Sequence, residues 1–266
     1  MTTMARPVTT ALERAVASAA LAGTLALTGC GVVPTYPEPL ITDYVPTAVA
    51  APQIDRGSLS PDGFSAAQRM TVRVRNIGCS GLTTGTGFAV DPYTLVTNRH
   101  VVQASRQIEV TTYDGRTISI TTAAVTTVAD LAIVTSEEPM SAWSTLAADD
   151  PVEGDSITVV GYPRGRQLTT VTGMVIGTTP DPLGASSGPV YATTAPVEPG
   201  SSGSPALNEA GEVVGVIYAK NDAEQSFMIP VSTLRTLLDE EGLLQPQPTD
   251  CPTTPGGFAP ERIVVD

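Results

Sequence analysis

A chain of 266 residues is long enough for one large domain or two small ones, with a substantial buried core. It carries 14 Lys and Arg against 27 Asp and Glu, a net charge of −13, and its one lysine is Lys220; nucleic acid is excluded as a partner, because phosphate binding needs clustered cations. The modest charged fraction, with 24 Gly and 23 Pro, suits many short strands joined by turns better than a helical protein.

Residues 1–29 read as an export signal. Arg6 and Arg14 supply positive charge, and an apolar, small-residue run follows from Ala15 to Thr28. The run is too short to span a membrane comfortably, and no later stretch qualifies. It ends in Leu27-Thr28-Gly29-Cys30, which resembles the bacterial lipobox, so Cys30 is a candidate lipidation site. An ordinary cleaved signal is the alternative. A lipid anchor would make the protein a membrane-tethered one facing outward, not a spanning one. Residues 30–66 are rich in Pro, Thr and Ala and read as a linker. Removing Cys30 leaves Cys79 and Cys251, which in an exported protein favour a disulfide over two free thiols.

Strand signals begin at Met70, with Thr71 to Arg75 alternating polar and apolar. Further candidates are Gly87–Val90, Thr94–Thr97, Ile108–Thr112, Thr117–Val125 and Leu131–Val134. The second half adds Ser156–Val160, Gln167–Ile176, Val190–Thr194, Glu212–Tyr218 and Ser226–Ile229. Most are short, β-branched and bounded by Gly, Pro or Asp. Asp114-Gly115 is a hairpin signal, and Asn208 to Gly211 marks another turn. Val231 to Glu240 carries Leu234, Leu237 and Leu238 at helical spacing, with Gly242 as a stop. The folded domain is therefore expected over 67–245, all-β apart from a short C-terminal helix, with a tail over 246–266.

The most informative stretch is Pro199-Gly200-Ser201-Ser202-Gly203-Ser204-Pro205. Glycines flanking a serine let the backbone turn sharply, expose the Ser202 hydroxyl and aim the N–H groups of Gly200 and Ser202 at one point. Such a pair is an oxyanion hole for a carbonyl under attack; a flexible Gly/Ser turn is the alternative. A serine hydroxyl needs a base, and the chain has one histidine, His100, after the strand-like Leu95-Val96-Thr97. A base needs a carboxylate to orient it. Asp130 opens the apolar Leu131 to Val134, where an unpaired carboxylate would be costly; a strand-capping aspartate is the alternative. One His and scattered Cys build no metal site, and no cofactor is expected.

The order His, Asp, Ser resembles that of chymotrypsin-fold proteases. Thr97-Asn98-Arg99-His100-Val101-Val102 looks like the histidine motif of the bacterial HtrA/Deg branch, and Gly85-Thr86-Gly87-Phe88 like the strand motif before it. Asp130-Leu131-Ala132 is similar to that branch's aspartate motif. Pro199 to Pro205 is similar to its serine motif, and Gly211 to Val216 to the strand pair behind its specificity pocket. The cysteine placement is similar, more loosely, to that of the mycobacterial acid-resistance membrane protease. The resemblance implies two packed six-stranded antiparallel β-barrels with the site between them, and a serine endopeptidase acting on peptide or protein substrates. It implies a catalytic triad of His100, Asp130 and Ser202. It also implies an S1 pocket lined by Pro196, Val197, Val216, Ile217 and Tyr218, all uncharged, and hence an uncharged P1 residue. Ser201 stands where the family has Asn or Asp, so no zymogen switch is expected; Ser204 replaces a glycine, and Arg99 a smaller residue. No PDZ-like segment is expected after the domain. A non-catalytic lipoprotein that uses this fold as a binding module is the rival reading.

Overall fold

The protein is described here from a computed structural model over residues 64–247. The signal, Cys30, Cys251, most of the linker and nearly all of the tail lie outside the described residues.

The chain enters through a short helix, α1 (Ala66–Met70), capped reciprocally by Ser65 and Gln68. The first set of strands is β1 (Thr71–Gly78), β2 (Leu82–Ala89) and β3 (Thr94–Thr97). A single helical turn α2 (Arg99–Val102) precedes β4 (Ser105–Thr111), β5 (Thr117–Ile118), β6 (Ile120–Thr126) and β7 (Ala132–Ser136). The second set is β8 (Ser156–Gly161), β9 (Thr169–Thr179), β10 (Val190–Thr193), β11 (Pro205–Leu207), β12 (Val213–Lys220) and β13 (Ser226–Pro230). Helix α3 (Val231–Asp239) and β14 (Leu244–Pro246) follow. The all-β, two-part chymotrypsin-like architecture with a C-terminal helix is present as the resemblance implied.

The second set closes into a six-stranded barrel in the order β10-β13-β12-β11-β8-β9. The first set forms an antiparallel sheet in the order β14-β6-β7-β3-β2-β1-β4-β5. Its six central strands run from β6 to β4 in that order, and β5 and β14 extend its edges. The returning C-terminus pairs Leu244 with Thr126 and Pro246 with Ala124.

Period-2 alternation divides the apolar residues among three cores. Val72, Leu95 and Val134 face the interior of the first sheet. Ile157, Val214 and Ile217 fill the second barrel. Phe88 and Val96 from the first sheet meet Val160, Val216 and Ile229 from the second in a seam that Leu234 and Leu237 of α3 complete. Strand β12 is buried on both faces, Val214 and Ile217 inward and Val213 and Val216 outward, so Val213 to Ile217 carries no polar side chain. The seam is what places β3, β7 and the 199–204 loop beside one another.

Phe88 is fully buried in the seam. Its truncation, Phe88→Ala, is expected to cost about 3–5 kcal/mol, a large share of the total stability of such a domain. Urea unfolding monitored by circular dichroism checks this, and a loss below 1 kcal/mol (on the order of a surface substitution) would remove the seam from the account.

Candidate functional site

Strand register brings the first two candidate residues together. β3 and β7 are antiparallel, with Thr97 opposite Ala132. His100 lies three residues beyond the end of β3, and Asp130 two residues before the start of β7. The paired ends therefore set them side by side. Asp130 Oδ2 lies 2.5 Å from His100 Nδ1, and Asp130 Oδ1 accepts the His100 backbone N–H at 3.0 Å. The Asn98 amide donates to the Asp130 carbonyl at 2.7 Å, locking the loop itself. The Asp130 side chain is 5% exposed and that of His100 37%. A carboxylate against Nδ1 keeps the ring proton on that nitrogen and leaves the Nε2 lone pair free.

Ser202 sits in the sharp turn between β10 and β11. Gly200 and Gly203 have φ of +97° and +87°, conformations that a side chain strains. Space is limiting as well: a Cβ on Gly203 would overlap the Thr86 carbonyl, and one on Gly200 would lie 2.6 Å from the Arg164 backbone N. The Pro199 carbonyl accepts the Arg164 N–H at 2.6 Å. Among the described residues, neither the Gly200 nor the Ser202 N–H donates to a backbone carbonyl. The Ser202 hydroxyl donates to the Tyr218 carbonyl at 3.5 Å, a long contact. No hydrogen bond joins Ser202 to His100 in this rotamer. The structure thus makes the His100–Asp130 contact and leaves the Ser202–His100 contact unmade.

Thr86 carries a role the sequence did not reveal. It is fully buried on β2. Its N–H donates to the Ser202 carbonyl at 2.8 Å, and its hydroxyl donates to the Gly200 carbonyl at 2.8 Å and accepts the Tyr162 N–H at 2.9 Å. The Thr97 hydroxyl donates to the Thr86 carbonyl at 2.6 Å. One residue of the first sheet thereby grips the serine turn on both sides of Ser201. The signal was its neighbours: a Cβ at Gly85 would press on the Ser202 carbonyl and Val101, and one at Gly87 on the Val96 carbonyl, so both glycines mark close approach.

The flanking serines are inert in different ways. Ser201 is buried, and its hydroxyl accepts the Glu198 N–H of its own turn at 3.4 Å. Ser204 is fully buried and occupies the space that a side chain at Gly161 would need.

The residues expected to line an S1 pocket lie in three different settings. Val216 and Ile217 are 0% and 1% exposed and belong to the cores, as does the buried Val197. Pro196 lines a cavity of about 180 Å³ with Val159, Thr169 and Ser201. Tyr218 instead faces a cleft of about 370 Å³, together with His100, Asp130, Arg99, Leu183 and Lys220. An apolar run in a doubly buried strand does not say which of its residues face a cleft. The Tyr218 hydroxyl donates to Asp181 Oδ1 at 2.6 Å. Burial and that carboxylate, with Asp130 behind it, push the phenol well above its ordinary pKa. Burial raises the Asp181 carboxyl, but hydrogen bonds from Tyr218 and the N–H groups of Leu183, Ser186 and Ala185 outweigh it, and the net pKa lies below the ordinary value.

Gly203→Ala is expected to cost considerably more than Gly211→Ala. Gly211 also has positive φ, but open space surrounds it, so alanine there costs about 1–2 kcal/mol of backbone strain alone. Chemical denaturation of both variants measures the difference, and equal losses would mean that Thr86 does not press on the serine turn.

The family model for the trypsin-like peptidase domain matches residues 85–216, the span from the Gly85-Thr86-Gly87 strand to β12. The chain is 28% identical over 220 residues to the serine protease Rv3671c of Mycobacterium tuberculosis, an alignment covering 77% of this chain and 53% of that protein. The chain thus spans about half the length of that relative. A probable periplasmic serine endoprotease, DegP-like, of Chlamydia pneumoniae is 34% identical over 136 residues, covering 50% of this chain and 28% of that protein. The crystal structure of the active form of the M. tuberculosis Rv3671c protease superposes with a TM-score of 0.61 at 28% identity, over 69% of this chain and 86% of that one. Residues 85–216 are thus a trypsin-like peptidase domain, homologous to the Rv3671c protease and to the HtrA/DegP proteases.

Proposed function

We propose that the protein is an exported serine endopeptidase that cleaves peptide bonds through an acyl-enzyme, with Ser202 as nucleophile, His100 as base and Asp130 as the carboxylate orienting it. The observation that carries this reading is the two-point hold of Asp130 on His100, through Nδ1 and the backbone N–H. It fixes the tautomer a general base requires and supplies a negative charge beside the imidazolium that forms. A turn about the Ser202 Cα–Cβ bond takes the hydroxyl from the Tyr218 carbonyl to another staggered rotamer, facing His100. His100 Nε2 takes the Ser202 proton as Oγ attacks the substrate carbonyl carbon. The carbonyl oxygen gains the negative charge and accepts hydrogen bonds from the Gly200 and Ser202 N–H groups. Collapse expels the amine, which receives the proton from His100. Water, activated by the same base, then releases the acid and restores Ser202.

The remaining features complete the reading. Cys30 carries a lipid anchor, and the linker holds the domain off the membrane surface. Cys79 pairs with Cys251, in keeping with the disulfide state of Cys79. Among the described residues no helix is long and apolar enough to cross a membrane. The residues read as an S1 lining, Pro196, Val197, Val216, Ile217 and Tyr218, carry no charge and favour an uncharged P1 side chain; strong Arg or Lys preference across a panel of P1-varied peptides would contradict this.

A fluorophosphonate probe is expected to label the wild type and not Ser202→Ala, and Asp130→Asn is expected to lower kcat by about 10⁴-fold with KM little changed. Equal labelling of the wild type and Ser202→Ala would sink the reading. Absence of labelling in both would favour a binding module instead.

A further inference from the structure

Ten residues connect β9 to β10, and the segment from Asp181 to Ser187 is tied down far more than a surface turn requires. The Asp181 carboxylate accepts four hydrogen bonds. Oδ1 takes the Leu183 N–H at 2.8 Å and the Tyr218 hydroxyl at 2.6 Å, and Oδ2 takes the Ala185 and Ser186 N–H groups at 2.7 and 2.6 Å. Three of these fold the segment on itself. The fourth crosses to β12, where Tyr218 is 3% exposed and its backbone carbonyl accepts the Ser202 hydroxyl. A fifth tie runs to the other sheet: the Ser187 N–H donates to the Val128 carbonyl at 2.8 Å, two residues before Asp130. The segment therefore bridges the strand beside Ser202 and the loop that carries Asp130. Leu183 and Ala185 line the same cleft as His100 and Tyr218. Leu183 is nonetheless 65% exposed, an apolar side chain with no packing reason to stand there.

We propose that Asp181 and Tyr218 are a positioning pair that holds the 181–187 segment as one wall of the substrate cleft, so that an extended peptide is seated against Leu183 and Ala185 while its scissile bond lies at Ser202; this rests on the serine endopeptidase reading above. Neither residue touches the reacting atoms through its side chain. Asp181 acts through the segment it folds, and the Tyr218 hydroxyl acts by fixing that segment to β12. Removing the hydroxyl leaves the three N–H bonds of Asp181 but frees the segment from the strand. Replacing the carboxylate with an amide removes one acceptor oxygen and loosens both.

The experiment compares Tyr218→Phe, Asp181→Asn and the double variant with the full-length wild type. Two reactions are followed: cleavage of a peptide with several residues on the acyl side, and labelling by a small alkyl fluorophosphonate that does not reach the wall. Each single variant is expected to lower kcat/KM for the peptide about tenfold, mainly through KM, with the double variant no worse than either single, as for two residues acting as a unit. Labelling rates should stay within about twofold of the wild type, since the small probe bypasses the wall. Unchanged peptide kinetics in both singles would overturn the inference. So would a multiplicative loss in the double, or an equal loss in labelling, either of which would mark two independent or merely structural roles. A wild type that takes no probe overturns the endopeptidase reading and this inference with it. A wild type that is labelled while the variants cleave peptide normally overturns only the inference.

Discussion

The serine turn is held from the other side of the seam. Thr86 belongs to the first sheet, yet its backbone N–H and hydroxyl take the carbonyls of Ser202 and Gly200. The bond to Gly200 is buried, and a buried carbonyl left without a donor costs about 1–3 kcal/mol. The turn has little freedom to move independently of the sheet that carries His100 and Asp130. This constraint lets residues from the first sheet and from the closed barrel form one site. It also explains the glycines. Gly85 admits the Ser202 carbonyl on one side and Gly203 the Thr86 carbonyl on the other, while Gly200 admits the 162–165 turn, and Gly200 and Gly203 supply the positive φ of the turn.

Around that fixed point the remaining geometry follows from strand register. Because Thr97 lies opposite Ala132, the loop after β3 and the loop before β7 leave the sheet together, and Asp130 meets His100 twice. The turn following β8 works on the other flank: Arg164, with φ of +56°, presents its N–H to the Pro199 carbonyl. That strain, of order 1–3 kcal/mol in a non-glycine residue, is stored beside the pair of N–H groups it leaves unused. The Asp181–Tyr218 contact then closes the third flank. Three local devices converge on one turn of six residues.

Much of this could be read from the chain. Thr94–Thr97 matches β3 residue for residue, and Asp114-Gly115 forms the turn between β4 and β5 with Gly115 at φ +85°. Val231 to Asp239 is helical as its leucine spacing indicated. Ser202, His100 and Asp130 stood out because chemistry restricts which residue types can do the work and the chain offers few of them. Other features depend on partners distant in sequence. Thr117–Val125 reads as one strand but breaks at Ser119, whose N–H is taken by the Glu138 carboxylate and whose carbonyl is taken by the Glu137 N–H. β11 is three residues long and begins with Pro205, which donates nothing to a ladder, so no pattern announces it. Asp181 resembles any turn acid between two prolines' worth of loop; only the fold brings Tyr218 to it.

The most direct test of a serine turn already built and held by Thr86 is a crystal structure of the protein inactivated by a fluorophosphonate. Phosphorus bonded to Ser202 Oγ is predicted, with the phosphonyl oxygen about 2.7–3.1 Å from the Gly200 and Ser202 N–H groups and both Thr86 bonds to the turn intact. An adduct elsewhere, or a 199–204 segment that must leave Thr86 to accommodate it, would contradict the account.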